Sequence, residues 1–215
     1  MAAFTTNAVA ERAGVSIGTL YQYFANKNAI ALALAKRERE MVLAEIAQTL
    51  RGEADPAPEA RVRSMVRVIV NAFGGRAFDH GTAYIIEGAR AAALWLPPGV
   101  EPDEAAMDAI VAQALRPEIA DDLGFVLQGM AEHHPHEPHW YLPLIAADPN
   151  WIGQGLGTLL MKHALRRCDD EGIAAYLESS NPRNISFYER HGFRIIGEIQ
   201  HGSSPMMTPM LRPAA

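Results

Sequence analysis

The residues best suited to chemistry are three closely spaced glycines, Gly153, Gly155 and Gly157, followed further along the chain by Asn181 and Tyr188. The glycines are preceded by a short apolar run, Leu142, Leu144, Ile145, Ala146 and Ala147, which has the length of a buried strand and is stopped by Asp148, Pro149 and Asn150. From Leu156 the period becomes helical: Leu156, Leu159, Leu160, Ala164 and Cys168 share one face, and Lys162, Arg166 and Asp169 the other. A strand, a glycine turn and a helix opening onto that turn let backbone N–H groups approach a ligand with no Cβ in the way. The expected chemistry is anion binding at a helix N-terminus.

A second segment, residues 176–198, supplies a strand, then Asn181, a short helix carrying Tyr188, and Gly192-Phe193 at the start of another strand. Together the two segments resemble the GNAT superfamily of acetyl-CoA-dependent N-acetyltransferases, with Asn181, Tyr188, Gly192 and Phe193 matching in order and spacing. The resemblance implies acetyl-CoA as cofactor and a small-molecule or peptide amine as acceptor. It also implies that Gly153, Gln154, Gly155, Leu156, Gly157 and Thr158 hold the pyrophosphate, with Asn181 and Asn184 in the second half of the site. Leu144, Ile145, Ala146 and Ala147 then lie along the pantetheine arm, where one amide bonds the thioester oxygen. Tyr188 becomes the acid that protonates the leaving thiolate, and Glu178 a candidate base for the amine. The family's usual Gln or Arg at the start of the turn is here Ile152, a change that backbone amides tolerate.

The chain begins differently. Residues 5–28 read as two short helices joined at Gly14-Val15-Ser16, with Ala10 where the helices touch, Leu20 as an apolar anchor and Ser16 as an N-cap. The strings AERAGVS, GTLYQYF and NK resemble the DNA-binding domain of TetR-type repressors. That resemblance places Ile17 to Phe24 in a major groove, with Ser16, Thr19, Tyr21, Tyr23 and Lys27 as DNA-binding candidates. Both resemblances start part-way through their families' patterns, so both segments are expected to be truncated at their N-terminal ends.

Stepping from these residues to the elements that must carry them, an α+β protein is expected. An all-α helix-turn-helix segment occupies 1–52, a connecting helix 53–74, and a mixed, mostly antiparallel sheet flanked by helices 75–215. Val62, Met65, Val66, Ile69, Val70 and Phe73 give the connecting helix a wide apolar face. Residues 83–86 and 91–95 form a strand pair, 103–116 and 118–131 form helices, and 203–212 form the last strand. The histidine-rich stretch HHPHEPH, 133–139, reads as a polar loop: Pro135 and Pro138 break ligand spacing, and no metal site is expected.

Composition fits a globular chain of 215 residues, 49% hydrophobic, with a net charge of −6. Residues 1–51 hold six Lys or Arg against four Glu, leaving 13 against 21 for the rest. No signal peptide or membrane span is expected, and the single Cys168 fits a reducing, cytoplasmic compartment. The function expected is acetyl-CoA-dependent N-acetylation by a chain with an appended DNA-binding segment. The alternative is a TetR-type regulator whose C-terminal domain senses acetyl-CoA or only dimerises the protein, and a homodimer is the expected assembly for DNA binding.

Overall fold

The computed structural model describes residues 58–114 and 119–215. The chain divides into two compact units, Met1–Ala54 and Asp55–Ala215, and the described residues all lie in the second. The helix-turn-helix expected at 5–28 therefore falls outside the described residues.

Six strands form one sheet in the order β1-β2-β3-β4-β6-β5: β1 Ala83–Ile85, β2 Ala91–Leu96, β3 His139–Ala147, β4 Ala174–Ser179, β5 Arg194–Ile195 and β6 Thr208–Arg212. Every pairing is antiparallel except that of β3 with β4. The mixed, mostly antiparallel sheet read from the sequence is thus what the chain forms. Six helices accompany it among the described residues: α1 Pro58–Gly74, α2 Arg76–Asp79, α3 Glu104–Ala114, α4 Ala120–His133, α5 Leu156–Glu171 and α6 Ile185–Glu189.

Alternation along the strands gives the sheet two apolar faces. Trp140 and Leu142 of β3 and Ala175 and Leu177 of β4 pack with Leu160, Met161, Ala164, Leu165 and Cys168 of α5. Tyr141 and Tyr176 point the other way and pack with Leu94, Leu96 and Ala77. On that second face α1 lies against β2, β3 and α3. Two details of the helical periodicity differ from the sequence reading. Leu159 is 57% exposed while Met161 and Leu165 are buried, so the buried stripe of α5 is turned by about one position away from the glycine turn. Val66 and Ile69 are also exposed, so the apolar face of α1 is buried only in part.

The feature that positions the site is a break between β3 and β4. Their parallel pairing covers only His139–Ala174, Trp140–Ala175 and Tyr141–Tyr176. Immediately beyond it the β2–β3 register shifts: Leu94 pairs with Leu144 but Leu96 with Tyr141, so β3 carries one extra residue there. Pro143 sits in this bulge, where a residue without an N–H sacrifices no ladder bond and the bulge bends the strand. From Leu142 to Ala147, β3 is therefore paired with β2 alone, and alternate residues direct their backbone groups into the gap that β4 has left.

Candidate functional site

A cavity of about 580 Å³ opens at this gap. Ile145, Ala146 and Ala147 of β3 form one wall, and Gly153, Gly155, Leu156, Gly157 and Thr158 form another. Gly155 caps α5 at φ +78°, and Gly153 has φ +82°; at both, a Cβ would meet nothing within 4 Å. These two glycines are needed for a left-handed backbone, and the space beside them is open. The first intrahelical bond to the cap carbonyl is Leu159 N–H to Gly155 O at 3.1 Å, so the amides of Leu156, Gly157 and Thr158 are the helix-start donors without an intrahelical acceptor. Gly157 answers a different need: a Cβ there would meet the Phe187 ring at 3.2 Å, so it lets α5 and α6 approach.

The far wall consists of Asn181, Asn184, Phe187, Tyr188 and Arg190. Asn181 is the N-cap of a 3-10 turn, Pro182–Asn184, its side chain accepting from Arg183 N–H at 3.1 Å. Asn184 stands at the N-cap position of α6, one turn before Tyr188. The tyrosine is only 5% exposed. Burial pushes its hydroxyl up to about 12, with the neighbouring Asn184 amide pulling the other way, so it stays protonated at neutral pH.

Of the twelve residues expected to hold the cofactor, Leu144 and Gln154 do not line this cavity. Strand alternation explains Leu144: its side chain packs on the opposite face, where its Cδ1 lies 3.3 Å from the position a Cβ on Gly74 would take. The sequence reading missed Arg190, Phe187 and Trp151. Trp151 follows the strand stop and is held by the Arg90 guanidinium, 3.9 Å from its ring centroid.

Glu178 lies elsewhere, in a second cavity of about 620 Å³ on the α1 face of the sheet. The structure does not bring it together with Tyr188 in one cavity, because Glu178 has the strand parity of Tyr176 and so points away from α5. Its side chain is 4% exposed. Oε2 accepts from Tyr141 O–H at 2.8 Å, while Oε1 has no hydrogen-bond partner. The Tyr176 hydroxyl lies close enough to feel the carboxylate, yet it too makes no bond of adequate geometry. Burial first, and Glu178 second, raises the pKa of both tyrosines, which remain neutral.

His134 completes this cluster, with Nδ1 3.9 Å from Glu178 Oε1. Its Nε2 lies 3.1 Å from Nε2 of His139, whose Nδ1 is 2.8 Å from the Glu137 carbonyl. A carbonyl only accepts, so His139 donates from Nδ1; burial lowers its pKa, and in the neutral ring Nε2 is then an acceptor. The donor must be His134 Nε2–H. In neutral His134 this leaves an unprotonated Nδ1 facing the unpartnered Oε1. Two members of the histidine-rich stretch are thus parts of a buried polar cluster and not simply a solvated loop. Among the described residues no group of three or more His, Cys, Asp or Glu is placed to hold a metal ion.

The DNA-binding candidates Ser16, Thr19, Tyr21, Tyr23 and Lys27 lie outside the described residues. No helix among the described residues is long and apolar enough to cross a membrane.

Comparison with known families agrees with both halves of the reading. Residues 105–193 match the acetyltransferase (GNAT) family, whose cofactor is acetyl-CoA, and residues 1–34 match the tetR family of bacterial regulatory proteins. Among solved structures, the chain is similar to a histone acetyltransferase HPA2 and related acetyltransferase from Corynebacterium glutamicum. Identity is 22% and the TM-score 0.49, with 75% of this chain and 79% of that one covered. It is similar to a mosquito arylalkylamine N-acetyltransferase like 5b at 15% identity and TM-score 0.46, covering 63% and 76%. Arabidopsis thaliana Naa50, solved with a bisubstrate analogue containing CoA, is 23% identical with a TM-score of 0.32; 35% of this chain and 54% of that one are covered. Residues 105–193 thus carry a match to the GNAT acetyltransferase family, and residues 1–34 a match to the tetR family.

Proposed function

We propose that residues 55–215 form an acetyl-CoA-dependent N-acetyltransferase acting on an amine. The observation that carries this reading is the convergence of three features on one cavity: the free N–H groups at the start of α5, the open left-handed Gly153 and Gly155, and the buried hydroxyl of Tyr188. The donor set suits the cofactor, since amides at a helix start bind phosphate oxygens and Arg190 on the cavity wall adds a positive charge. When bound, acetyl-CoA supplies an acetyl thioester, whose acyl group passes to the amine nitrogen as the thiolate leaves.

The residues divide the remaining work. The amides of Leu156, Gly157 and Thr158 hold the pyrophosphate, and Gly153 and Gly155 keep its approach free of side chains. Amides of β3 between Leu142 and Ala147, released from β4, orient the pantetheine arm and polarise the carbonyl. Tyr188 Oη, kept protonated by burial, holds a proton for the departing sulfur. Glu178 and His134 are the acceptors for the proton that the amine must lose before it can attack.

The N-terminal segment suggests DNA binding through Ser16, Thr19, Tyr21, Tyr23 and Lys27, and a homodimer to present two such segments. Its family is the basis for keeping a second reading, a regulator that binds acetyl-CoA as a sensor. A calorimetric titration of acetyl-CoA into the full chain, paired with a turnover assay on Tyr188→Phe, separates them. An enzyme keeps affinity and loses rate, whereas a sensor shows no turnover in either form.

A further inference from the structure

The cavity on the α1 face has a composition suited to a particular kind of acceptor. Phe73, Met107, Val111, Leu127 and Met130 give it an apolar wall. Glu101, Glu104, Asp108 and Glu178 line it as well, and among the described residues no lysine or arginine does. These acids are not equivalent. Glu104 and Asp108 are exposed and the Glu101 side chain is 57% exposed, so they sit at the mouth, whereas Glu178 is 4% exposed and lies at the inner end.

At that inner end Glu178 Oε1 has no hydrogen-bond partner among the described residues. It faces His134 Nδ1 at 3.9 Å, which the His134–His139 bond leaves without a proton in the neutral ring. With the His134 ring uncharged, a carboxylate oxygen and an imidazole lone pair are turned toward each other, and both accept a donor. A primary ammonium has three N–H groups and a positive charge, which meets both acceptors at once. An alcohol or amide nitrogen offers fewer donors and no charge.

We propose that this cavity is the acceptor site and that it takes a dicationic amine. One primary ammonium is bound between Glu178 Oε1 and His134 Nδ1, an apolar chain lies along the Met107–Met130 wall, and a second cationic group is held by Glu101, Glu104 and Asp108 at the mouth. The assignment rests on the acetyltransferase reading above, because only there is the cavity an acceptor site. It adds the class of amine and makes His134 a substrate-contacting residue. The ammonium gives up one proton to His134 Nδ1 or Glu178 Oε1, leaving a neutral amine and a protonated side chain. Charge selectivity follows from the geometry: the inner pair recognises the reacting nitrogen, and the outer acids distinguish a diamine from a monoamine.

The test uses the full chain and three probes of equal carbon length, hexamethylenediamine, hexylamine and hexanoate, titrated calorimetrically with and without coenzyme A. The diamine is expected to bind about tenfold more tightly than the monoamine, and hexanoate not at all. Glu178→Gln, nearly the same shape, should weaken both amines about thirtyfold. The exposed pair Glu104→Gln and Asp108→Asn, which carries little folding risk, should remove the diamine's advantage and leave hexylamine unchanged. Equal affinity for the two amines would overturn the second cation site, and hexanoate binding as well as hexylamine would overturn the inner one. Acetyl-CoA is titrated into the same preparation. If it binds while neither amine does under either condition, the acceptor assignment falls and the coenzyme site stands. If an amine binds and acetyl-CoA does not, the cavity stands and the acetyltransferase reading falls.

Discussion

The two cavities are built from different materials. The one at the α5 start is mostly main chain: helix N–H groups, two left-handed glycines and the stretch of β3 that pairs with β2 but not with β4. The one on the α1 face is mostly side chain, with Glu178, His134 and Tyr141 tied to each other and not to the backbone around them. A main-chain site binds what every turnover shares, because its donors come with the fold and change little with sequence. A side-chain site can be respecified one residue at a time. On the proposed function, the invariant part of the reaction falls to the first cavity and the selective part to the second.

The largest effect expected on this comparison comes from Gly155→Asp. The substitution puts a carboxylate beside the phosphate donors and forces a non-glycine residue to φ +78°, at a conformational cost of about 1–2 kcal/mol. Acetyl-CoA affinity should fall by about a hundredfold in a calorimetric titration, each 1.4 kcal/mol being tenfold. Gly157→Asp sharpens the contrast. Its new Cβ meets Phe187 and not open space, so it should lower the melting temperature as well as the affinity. Unchanged affinity in both variants would remove the anion-site assignment.

Next in size is Tyr188→Phe. Loss of a positioned acid should cut kcat by about a hundredfold or more, with acetyl-CoA affinity little altered. With its hydroxyl pushed up to about 12, Tyr188 remains protonated through pH 10, so it contributes no fall in kcat below that pH. The same burial predicts alkaline instability. Tyr141, Tyr176 and Tyr188 all have raised folded-state values, so above pH 10 the unfolded chain releases protons that the folded chain keeps. Stability must then fall as pH rises, and denaturant titrations at pH 9 and 11 should show a steeper loss in wild type than in Tyr188→Phe.

The same difference explains what could be read from the sequence. The strand, glycine turn and helix over 139–171 were legible because backbone conformation dictates residue type: only glycine suits Gly153 and Gly155, and a change from strand to helical period marks Leu156. Asn181, Asn184 and Tyr188 were legible because they sit within one short segment. The second cavity left no such trace. Its inner cluster comes from His134, Tyr141 and Glu178, on separate elements, and only the topology brings them together. HHPHEPH reads as a polar loop leading into the strand, whereas in the fold His139 fixes the tautomer of His134. The exchange of Leu159 for Met161 and Leu165 on the buried face has a similar origin, since helical period alone does not say where the stripe is centred.

Smaller and separate is the effect of Lys27→Ala on DNA binding. A phosphate contact carries no sequence information, so affinity should drop several-fold for all sequences alike and the salt dependence should flatten. Fluorescence anisotropy with two unrelated duplexes at two salt concentrations measures both. DNA binding that survived deletion of residues 1–50 would place it outside the tetR segment.

The smallest change is expected from removing the N-terminal unit altogether. The compact unit that holds both cavities begins at Asp55, and all the assigned coenzyme residues fall between Leu144 and Arg190. A fragment of residues 58–215 should therefore bind acetyl-CoA with the affinity of the full chain, and a loss greater than about threefold would mean that residues before 58 build part of the site. Starting at 75 is a different experiment. It removes α1, which packs on β2 and β3: a Cβ on Gly74 would lie 2.7 Å from Leu94 and 3.3 Å from Leu144. It also removes Phe73 from the acidic cavity. The shorter fragment should expose that apolar face and self-associate in size-exclusion chromatography, while the longer one remains dispersed. Whatever part of it stays dispersed should lose amine binding before acetyl-CoA binding, because α1 walls the side-chain cavity and contributes nothing to the main-chain one.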